Sequence, residues 1–202
     1  PFHPRSPYGI SKLFAHWITV NYREAYRLFA CSGILFNHES PLRGKEFVIR
    51  KIARSIAGIA LGHLEQFQLG NLSASRDWGY APEYVEGMWR IITAHEPDDY
   101  VLATGETHTV KEFVEAACAA ADIGIIWEGS DQNEIGIHEK TGKTIIQVSP
   151  DLTRPAEVDI LKGNPQKAEK KLGWKPQTTF HQLVSMMVQY EIEQLKTYEK
   201  RP

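Results

Sequence analysis

A tyrosine and a lysine four residues apart stand near the start of the sequence, in its first helical pattern. Tyr8 and Lys12 would lie on one face of a helix, one turn from each other. An ammonium beside a phenol favours the phenolate, so we expect Lys12 to make the Tyr8 hydroxyl more acidic. Such a tyrosine can remove a proton from a sugar hydroxyl while a neighbouring cofactor accepts hydride. The alternative is an ordinary half-buried aromatic residue beside a solvated lysine.

The residues around this pair predict the helix that would position it. Ser6 can cap a helix by accepting from a free backbone N–H, and Pro7 suits its first turn. We predict one helix over residues 7–26, followed by a buried strand of a parallel sheet within the apolar run 28–36. A helix and a strand in this order form half of a βαβ unit. The predicted buried positions of the helix include Leu13, Trp17, Val20 and Ala25.

A polar loop at residues 37–44 follows the carboxyl end of that strand. Ligands of open α/β sheets bind outside the carboxyl ends of strands. Asn37 can hydrogen-bond a phosphate or a hydroxyl, and Arg43 can pair with a phosphate. The alternative is a polar loop whose side chains stabilise its own turns.

Two later arginines are further candidates for binding an anion. Arg76 precedes an Asp-aromatic pair and a helix start, and its planar fork of donors suits a diphosphate. The alternative is a surface arginine paired with Asp77. Arg154 and Glu157 lie three residues apart and can reach one bound group if their turn is helical. For them the alternative is a local ion pair.

The overall composition is that of an ordinary globular protein. The 202 residues are 42% hydrophobic and 24% charged, with a formal net charge of −2, so no general nucleic-acid or membrane field is implied. Cys31 and Cys118 both fall in apolar segments, which favours reduced core thiols in a cytosolic protein. The histidines never fall at zinc-ligand spacing, so we expect no metal site.

The remaining pattern alternates helices with strands and predicts an α/β fold. Helices are predicted over 47–61, 84–94, 110–121, 164–172 and 180–198, and strands over 66–70, 100–105, 124–128 and 144–148. Residues 129–142 are predicted to be a loop or an irregular hairpin arm. The predicted inward positions of the second of these helices are Val85, Met88, Ile91 and Ile92.

Longer motifs relate the chain to a known family. The run from Ser6 to Lys12, residues 17–26 and residues 33–41 together resemble the extended short-chain dehydrogenase/reductases, and among them the GDP-mannose 4,6-dehydratase family. The resemblance covers the later part of that family's chain. It implies the C-terminal part of a Rossmann-like, doubly wound parallel sheet plus a smaller α/β substrate-binding domain. Residues 1–40 would end the NADP-binding domain, and 41–202 would mainly bind the nucleotide sugar, with about 66–105 returning to the Rossmann sheet.

The resemblance also implies a role for each candidate residue. Tyr8 and Lys12 match the catalytic pair and also contact NADP, as do the matches His38 and Arg43. The residues that match substrate-binding positions are Asn37, facing the nucleotide sugar, Arg76 and Arg154, meeting the diphosphate, and Glu157, meeting the ribose. Leu42 stands where the family carries a basic residue.

The implied activity is dehydration of GDP-mannose to GDP-4-dehydro-6-deoxy-mannose by internal hydride transfer through NADP, the first step of GDP-fucose and GDP-deoxyhexose synthesis. A cytoplasmic homodimer or homotetramer is expected. The family's Gly-rich loop and its catalytic Thr and Glu belong to a part of the family's chain upstream of this sequence, so we expect these 202 residues alone to be inactive. The alternatives are another nucleotide-sugar epimerase or dehydratase of this superfamily, or a non-catalytic nucleotide-sugar-binding or interaction fragment.

Overall fold

The computed structural model describes residues 2–153, 158 and 160–199, with side chains up to residue 197. Its α-helices are α1 (Pro7–Tyr26), α2 (Val48–Ala60), α3 (Ala81–Ile92), α4 (Val110–Ala120), α5 (Gln166–Leu172) and α6 (Phe180–Glu199). Its strands are β1 (Gly33–Leu35), β2 (Asn37–Glu39), β3 (Phe67–Leu69), β4 (Ser75–Arg76), β5 (Trp78–Tyr80), β6 (Tyr100–Leu102), β7 (His108–Thr109), β8 (Ile125–Glu128), β9 (Ile135–His138), β10 (Thr144–Val148) and β11 (Ile160–Leu161). The α/β class is confirmed.

The chain divides into two compact units, each built from three separate segments. The first unit comprises Pro1–His38, Arg76–Thr107 and Pro155–Gln177. The second comprises Glu39–Ser75, His108–Arg154 and Thr178–Pro202.

The first unit is built around a parallel strand pair and an aromatic core. β1 pairs with β6 in parallel, with Gly33 opposite Tyr100 and Leu35 opposite Leu102. The buried core residues are Tyr84, Ile91, Tyr100, Leu102, Ala168 and Trp174. Trp174 donates its indole N–H to the carbonyl of Glu83 at 2.7 Å, so its polar edge is satisfied inside the core.

Helix α1 begins and ends where the sequence predicts, but it is not buried. Ser6 Oγ accepts from the backbone N–H of Gly9 at 3.0 Å, which confirms the predicted cap. No residue of this helix is buried, so the prediction that Leu13, Trp17, Val20 and Ala25 are buried is wrong. The strands β1 and β6 are three residues long, and a pair of this size offers too little apolar surface to cover a helix of 20 residues.

Burial also departs from prediction in β1 and α3. β1 is parallel as predicted, yet Gly33 and Ile34 are exposed. In α3 the buried residues are Tyr84, Gly87 and Ile91, whereas Val85, Met88 and Ile92 are exposed, so three of the four predicted inward positions are wrong. The helix begins at Ala81 and not at 84, and its buried stripe follows the side that packs on Leu102 and Trp174.

The second unit combines a mixed sheet with three packed helices. The sheet has the order β3-β10-β9-β8, with β3 parallel to β10 and the other neighbours antiparallel. Strand β9 lies inside the stretch predicted as a loop or irregular hairpin arm. Helices α2, α4 and α6 pack on one another through fully buried residues that include Ile52, Ile56, Phe113, Val114, Val184 and Val188.

Helix termini in both units follow the local sequence signals. In α4, Thr109 accepts from the N–H of Glu112, and the Glu112 carboxylate accepts from the N–H of Thr109, which completes the predicted capping box. Gly173 ends α5 with a φ of 62°, as expected for a glycine cap. Over the residues that are described, none of the helices is long and apolar enough to cross a membrane.

Candidate active site

The Tyr8–Lys12 pair lies in the first two turns of α1. Lys12 Nζ is 5.4 Å from the centroid of the Tyr8 ring, so the two side chains share one helix face as predicted. Both residues are exposed, and Tyr8 retains 71% of its accessible surface. The alternative of a half-buried aromatic residue therefore does not describe Tyr8. An ammonium on a phenol ring also gains a cation–π attraction.

A half-buried ion pair fixes the distal end of this helix against the strands. Arg23 Nη1 and Nη2 donate to the two carboxylate oxygens of Asp99, each at 2.8 Å. The N–H of Ser32 also donates to Asp99 at 3.0 Å. The Arg23 hydrogen bonds lower the pKa of Asp99 to about 2. This pair orients α1, and with it Tyr8 and Lys12, relative to β1 and β6.

Asn37 and His38 lie in β2, which is separated from β1 by the single residue Phe36. Both are half-buried, and the Asn37 side chain makes no hydrogen bond to any residue that the structure describes. His38 Nδ1 lies 2.8 Å from the carbonyl oxygen of Phe36. A carbonyl only accepts, so Nδ1 carries the proton and Nε2 remains for a ligand.

Tyr84 forms the support behind His38. The two rings are stacked, with centroids 5.1 Å apart and planes 25° apart. Tyr84 is fully buried, and burial raises the pKa of its phenol. A Cβ added at Gly79 would lie 2.6 Å from Tyr84 Oη, so a glycine at this position is what allows the ring to sit there.

Arg76 is half-buried at the end of β4 and directly precedes a fully buried aspartate. Asp77 Oδ1 accepts from the N–H and the hydroxyl of Thr104, both at 2.8 Å. Asp77 Oδ2 accepts from the N–H of Gly105 at 2.9 Å and of Gly163 at 3.2 Å. The carboxylate thus ties three separate backbone segments together beside Arg76. Arg76 is half-buried, so the alternative of a surface arginine paired with Asp77 is wrong about its exposure.

Arg43 belongs to the second unit, where it is held by Glu39 and Phe47. Its guanidinium carbon lies 3.5 Å from the centroid of the Phe47 ring. Arg43 Nε lies 3.3 Å from Glu39 Oε2, and Glu39 is 2% exposed. Burial raises the pKa of Glu39 to about 7, although Arg43 acts in the opposite direction. Leu42, at the position where the family has a basic residue, is 83% exposed.

Two predicted substrate-binding residues, Arg154 and Glu157, lie outside the described residues. Their assignment stays a prediction.

The supporting residues were missed by sequence reasoning. These residues are Glu39, Asp77 and Tyr84. All three are buried, and burial of a polar group cannot be recognised from the sequence. The partners of Asp77 and Tyr84 are also distant in the chain. One signal was present: an acid, Glu39, lies four residues before Arg43, the spacing of a helical ion pair.

Comparison with known proteins identifies the family. The family model described as GDP-mannose 4,6 dehydratase matches residues 1–187. GDP-mannose 4,6 dehydratases from Cricetulus griseus and from Homo sapiens are each 55% identical over 197 residues, which is 98% of this chain and 53% of theirs. The enzyme from Sinorhizobium fredii is 52% identical over 97% of this chain and 56% of its own. The chain spans about half the length of the curated relatives that it matches.

Solved structures agree on the fold. The structure of RMD from Pseudomonas aeruginosa complexed with NADPH gives a TM-score of 0.78 at 22% identity, covering 95% of this chain and 58% of that one. The dTDP-glucose 4,6-dehydratase from Bacillus anthracis in complex with NAD gives 0.76 at 19% identity, covering 97% and 55%. The family model and the high identity over nearly the whole chain show that this protein belongs to the GDP-mannose 4,6-dehydratase family.

Proposed function

We propose that the intact protein containing this chain dehydrates GDP-mannose to GDP-4-dehydro-6-deoxy-mannose with NADP as a recycled cofactor. The observation that carries the proposal is the Tyr8–Lys12 pair, exposed together on one face of α1 in a chain of this family. We assign residues 1–40, and in part 66–105, to the cofactor-binding domain, and most of 41–202 to the nucleotide-sugar-binding domain.

The donor set of the chain fits a phosphorylated dinucleotide. Lys12 and Arg43 are cations, and the Arg43 guanidinium is held flat by Phe47 and Glu39, which suits phosphate oxygens. His38 contributes Nε2, because its Nδ1 is engaged with the carbonyl oxygen of Phe36. NADP, when bound, supplies the chemistry of accepting a hydride and returning it. We assign its binding to Tyr8, Lys12, His38 and Arg43.

The proposed proton chemistry begins at the Tyr8 hydroxyl oxygen. Tyr8 would act as the general base that accepts the proton of the mannose C4 hydroxyl, and NADP would be the acceptor of the C4 hydride. The resulting C4 ketone acidifies the hydrogen on C5, so that loss of this proton and of the C6 hydroxyl expels one water. Return of the hydride to C6 would leave the cofactor unchanged overall. The Lys12 ammonium, one helix turn away, would attract the negative charge that develops on the Tyr8 oxygen.

Substrate binding is assigned to residues at the ends of strands. Asn37 presents an amide that makes no hydrogen bond to any described residue, and it suits a sugar hydroxyl or a phosphate. Arg76 would bind the diphosphate. Its backbone is held in place by the adjacent Asp77, whose carboxylate accepts hydrogen bonds from Thr104 and Gly105; we call this set of bonds the Asp77 hub. Arg154 and Glu157 are assigned to the diphosphate and the ribose from the family resemblance alone.

The test uses the intact protein with GDP-mannose and NADP. Mass spectrometry is expected to show a nucleotide sugar lighter than the substrate by one water, with no net formation of NADPH. Conversion to an isomer of equal mass would instead indicate an epimerase and contradict the proposal. Binding of GDP-mannose without any change in mass would support a non-catalytic module.

A further inference from the structure

A basic cavity lies beside helices α2 and α6 in the second unit. Its volume is about 530 Å³, and its lining includes Lys45, Arg50, Arg54, His63 and Glu191. Among the lining residues that the structure describes, Glu191 is the single acid. Three fixed cations against one anion leave an excess of two positive charges, even with His63 neutral.

The buried acid is already fully engaged. Glu191 is 1% exposed, and its Oε1 accepts from Arg50 Nε at 2.7 Å while its Oε2 accepts from Arg54 Nη1 at 3.3 Å. One carboxylate shared between two guanidinium groups cannot neutralise both. The Arg50 side chain is only 13% exposed. The pair holds the two arginines in fixed positions at the cavity wall.

The cavity also offers cationic donors that solvent can reach. The Arg54 side chain is 44% exposed and keeps guanidinium N–H groups beyond the one bonded to Glu191. Lys45 is exposed and makes no hydrogen bond or ion pair with any residue described in the structure. Guanidinium and ammonium groups converging on a cavity with excess positive charge match phosphate oxygens.

We propose that this cavity binds a diphosphate-bearing small molecule at a site of its own, separate from the substrate diphosphate assigned to Arg76. Two excess charges match the charge of a diphosphate better than that of a single carboxylate. The space is also larger than one phosphate group requires.

The cavity is physically connected to the loop that carries Arg43. Arg50, which binds Glu191 through Nε, also donates from Nη1 to the backbone carbonyl of Arg43. An anion that draws Arg50 toward the cavity changes this contact and the position of Arg43. This coupling rests on the proposed function, because Arg43 matters to the cofactor only if it binds NADP.

The binding site is tested by calorimetry with inorganic pyrophosphate, without any turnover. The Arg76→Gln variant of the intact protein weakens pyrophosphate binding at the proposed substrate site. We expect it still to bind pyrophosphate, and the double variant Lys45→Gln/Arg76→Gln to bind about tenfold more weakly, because one charge-assisted contact is lost. Lys140→Gln/Arg76→Gln is the matched control, since Lys140 is exposed and does not line the cavity.

Two results would overturn the proposal. One is an Arg76→Gln protein with a native near-UV circular dichroism spectrum that no longer binds pyrophosphate. The other is equal affinity in the Lys45 and Lys140 variants. Repeating the titrations with GDP distinguishes a nucleotide ligand from free pyrophosphate. If GDP binds more tightly than pyrophosphate and its binding depends on Lys45, the site recognises a nucleotide. If the two bind equally, the site recognises the diphosphate group alone. These binding measurements do not depend on dehydratase activity, so the proposed cavity site and the proposed function can fail independently.

Discussion

The imidazole of His38 is stacked on the buried ring of Tyr84, with the ring centroids 5.1 Å apart. The ring is also held at its edge by the contact of Nδ1 with the carbonyl oxygen of Phe36. These two contacts set both the plane and the tautomer of a residue assigned to the cofactor. The atom that we assign to the cofactor, Nε2, is thus positioned by a residue to which we assign no ligand contact.

Two substitutions at Tyr84 distinguish the role of its ring from the role of its hydroxyl. The hydroxyl is buried and has no hydrogen-bond partner among the described residues, so Tyr84→Phe is expected to leave stability unchanged or raise it slightly. Tyr84→Leu removes the ring and is expected to cost about 3 kcal/mol. It is also expected to weaken NADPH binding about three- to tenfold, since aromatic pairs contribute about 0.5–1.5 kcal/mol. Urea unfolding and fluorescence titration measure the two effects, and equal NADPH affinity in the two variants would contradict the positioning role.

Asp77 is expected to be among the least replaceable polar residues of the first unit. Asp77→Asn keeps the shape but presents an NH₂ group to backbone N–H donors, so we expect a loss of about 3 kcal/mol in the free energy of unfolding. The KM for GDP-mannose is expected to rise more than kcat falls, because the neighbouring Arg76 loses its support. Asp151→Asn is the control, since Asp151 is exposed. A stability loss equal to that of the control would show that the hub does not form.

Glu39 is expected to make stability depend on pH between about 4.5 and 7. Its folded pKa is raised to about 7 from an ordinary value of 4.5, so in this range the folded state holds a proton that the unfolded state has released. Stability therefore falls as pH rises through this window, by about 3 kcal/mol from this group, and is level above it. Urea midpoints measured from pH 4 to 8 test this. Glu39→Gln is expected to remove the slope while the exposed control Glu46→Gln keeps it, and parallel profiles for the two variants would contradict it.

The Arg23–Asp99 pair gives the opposite pH dependence at lower pH. The pKa of Asp99 is lowered to about 2, so its contribution is present above about pH 4 and is lost as pH falls toward 2. Arg23→Lys keeps the charge but loses the paired donors, and it is expected to cost about 1 kcal/mol at pH 7 and much less at pH 2. The same substitution at the exposed Arg5 is the control. An Arg23→Lys penalty that does not change with pH would argue against this pair as its source.

The sequence predicts well whatever depends on neighbours in the chain. The starts of α1 and α4 are encoded by Ser6 with Pro7 and by Thr109 with Glu112, and the end of α5 by Gly173. Each of these signals acts within one turn of a helix.

What could not be predicted depends on partners far along the chain. Gly163 donates to Asp77 across 86 residues, and Arg50 reaches Glu191 across 141. Contacts at such separations leave no pattern in the local sequence. A buried carboxylate therefore cannot be distinguished from a surface carboxylate by sequence alone. The exposure of α1 escaped prediction for a related reason, because an apolar stripe says which face can be covered and not whether a surface is there to cover it.

The central claim is that Tyr8 moves the proton from the sugar. Its most direct test is kcat for loss of water from GDP-mannose in the intact protein carrying Tyr8→Phe, with Tyr26→Phe as a control on the same exposed helix. We expect Tyr8→Phe to lower kcat by about 10²- to 10⁴-fold, far more than it weakens NADPH binding, because general-base catalysis is lost. We expect Tyr26→Phe to change kcat little. A Tyr8→Phe enzyme that dehydrates GDP-mannose at the rate of the control would contradict the account.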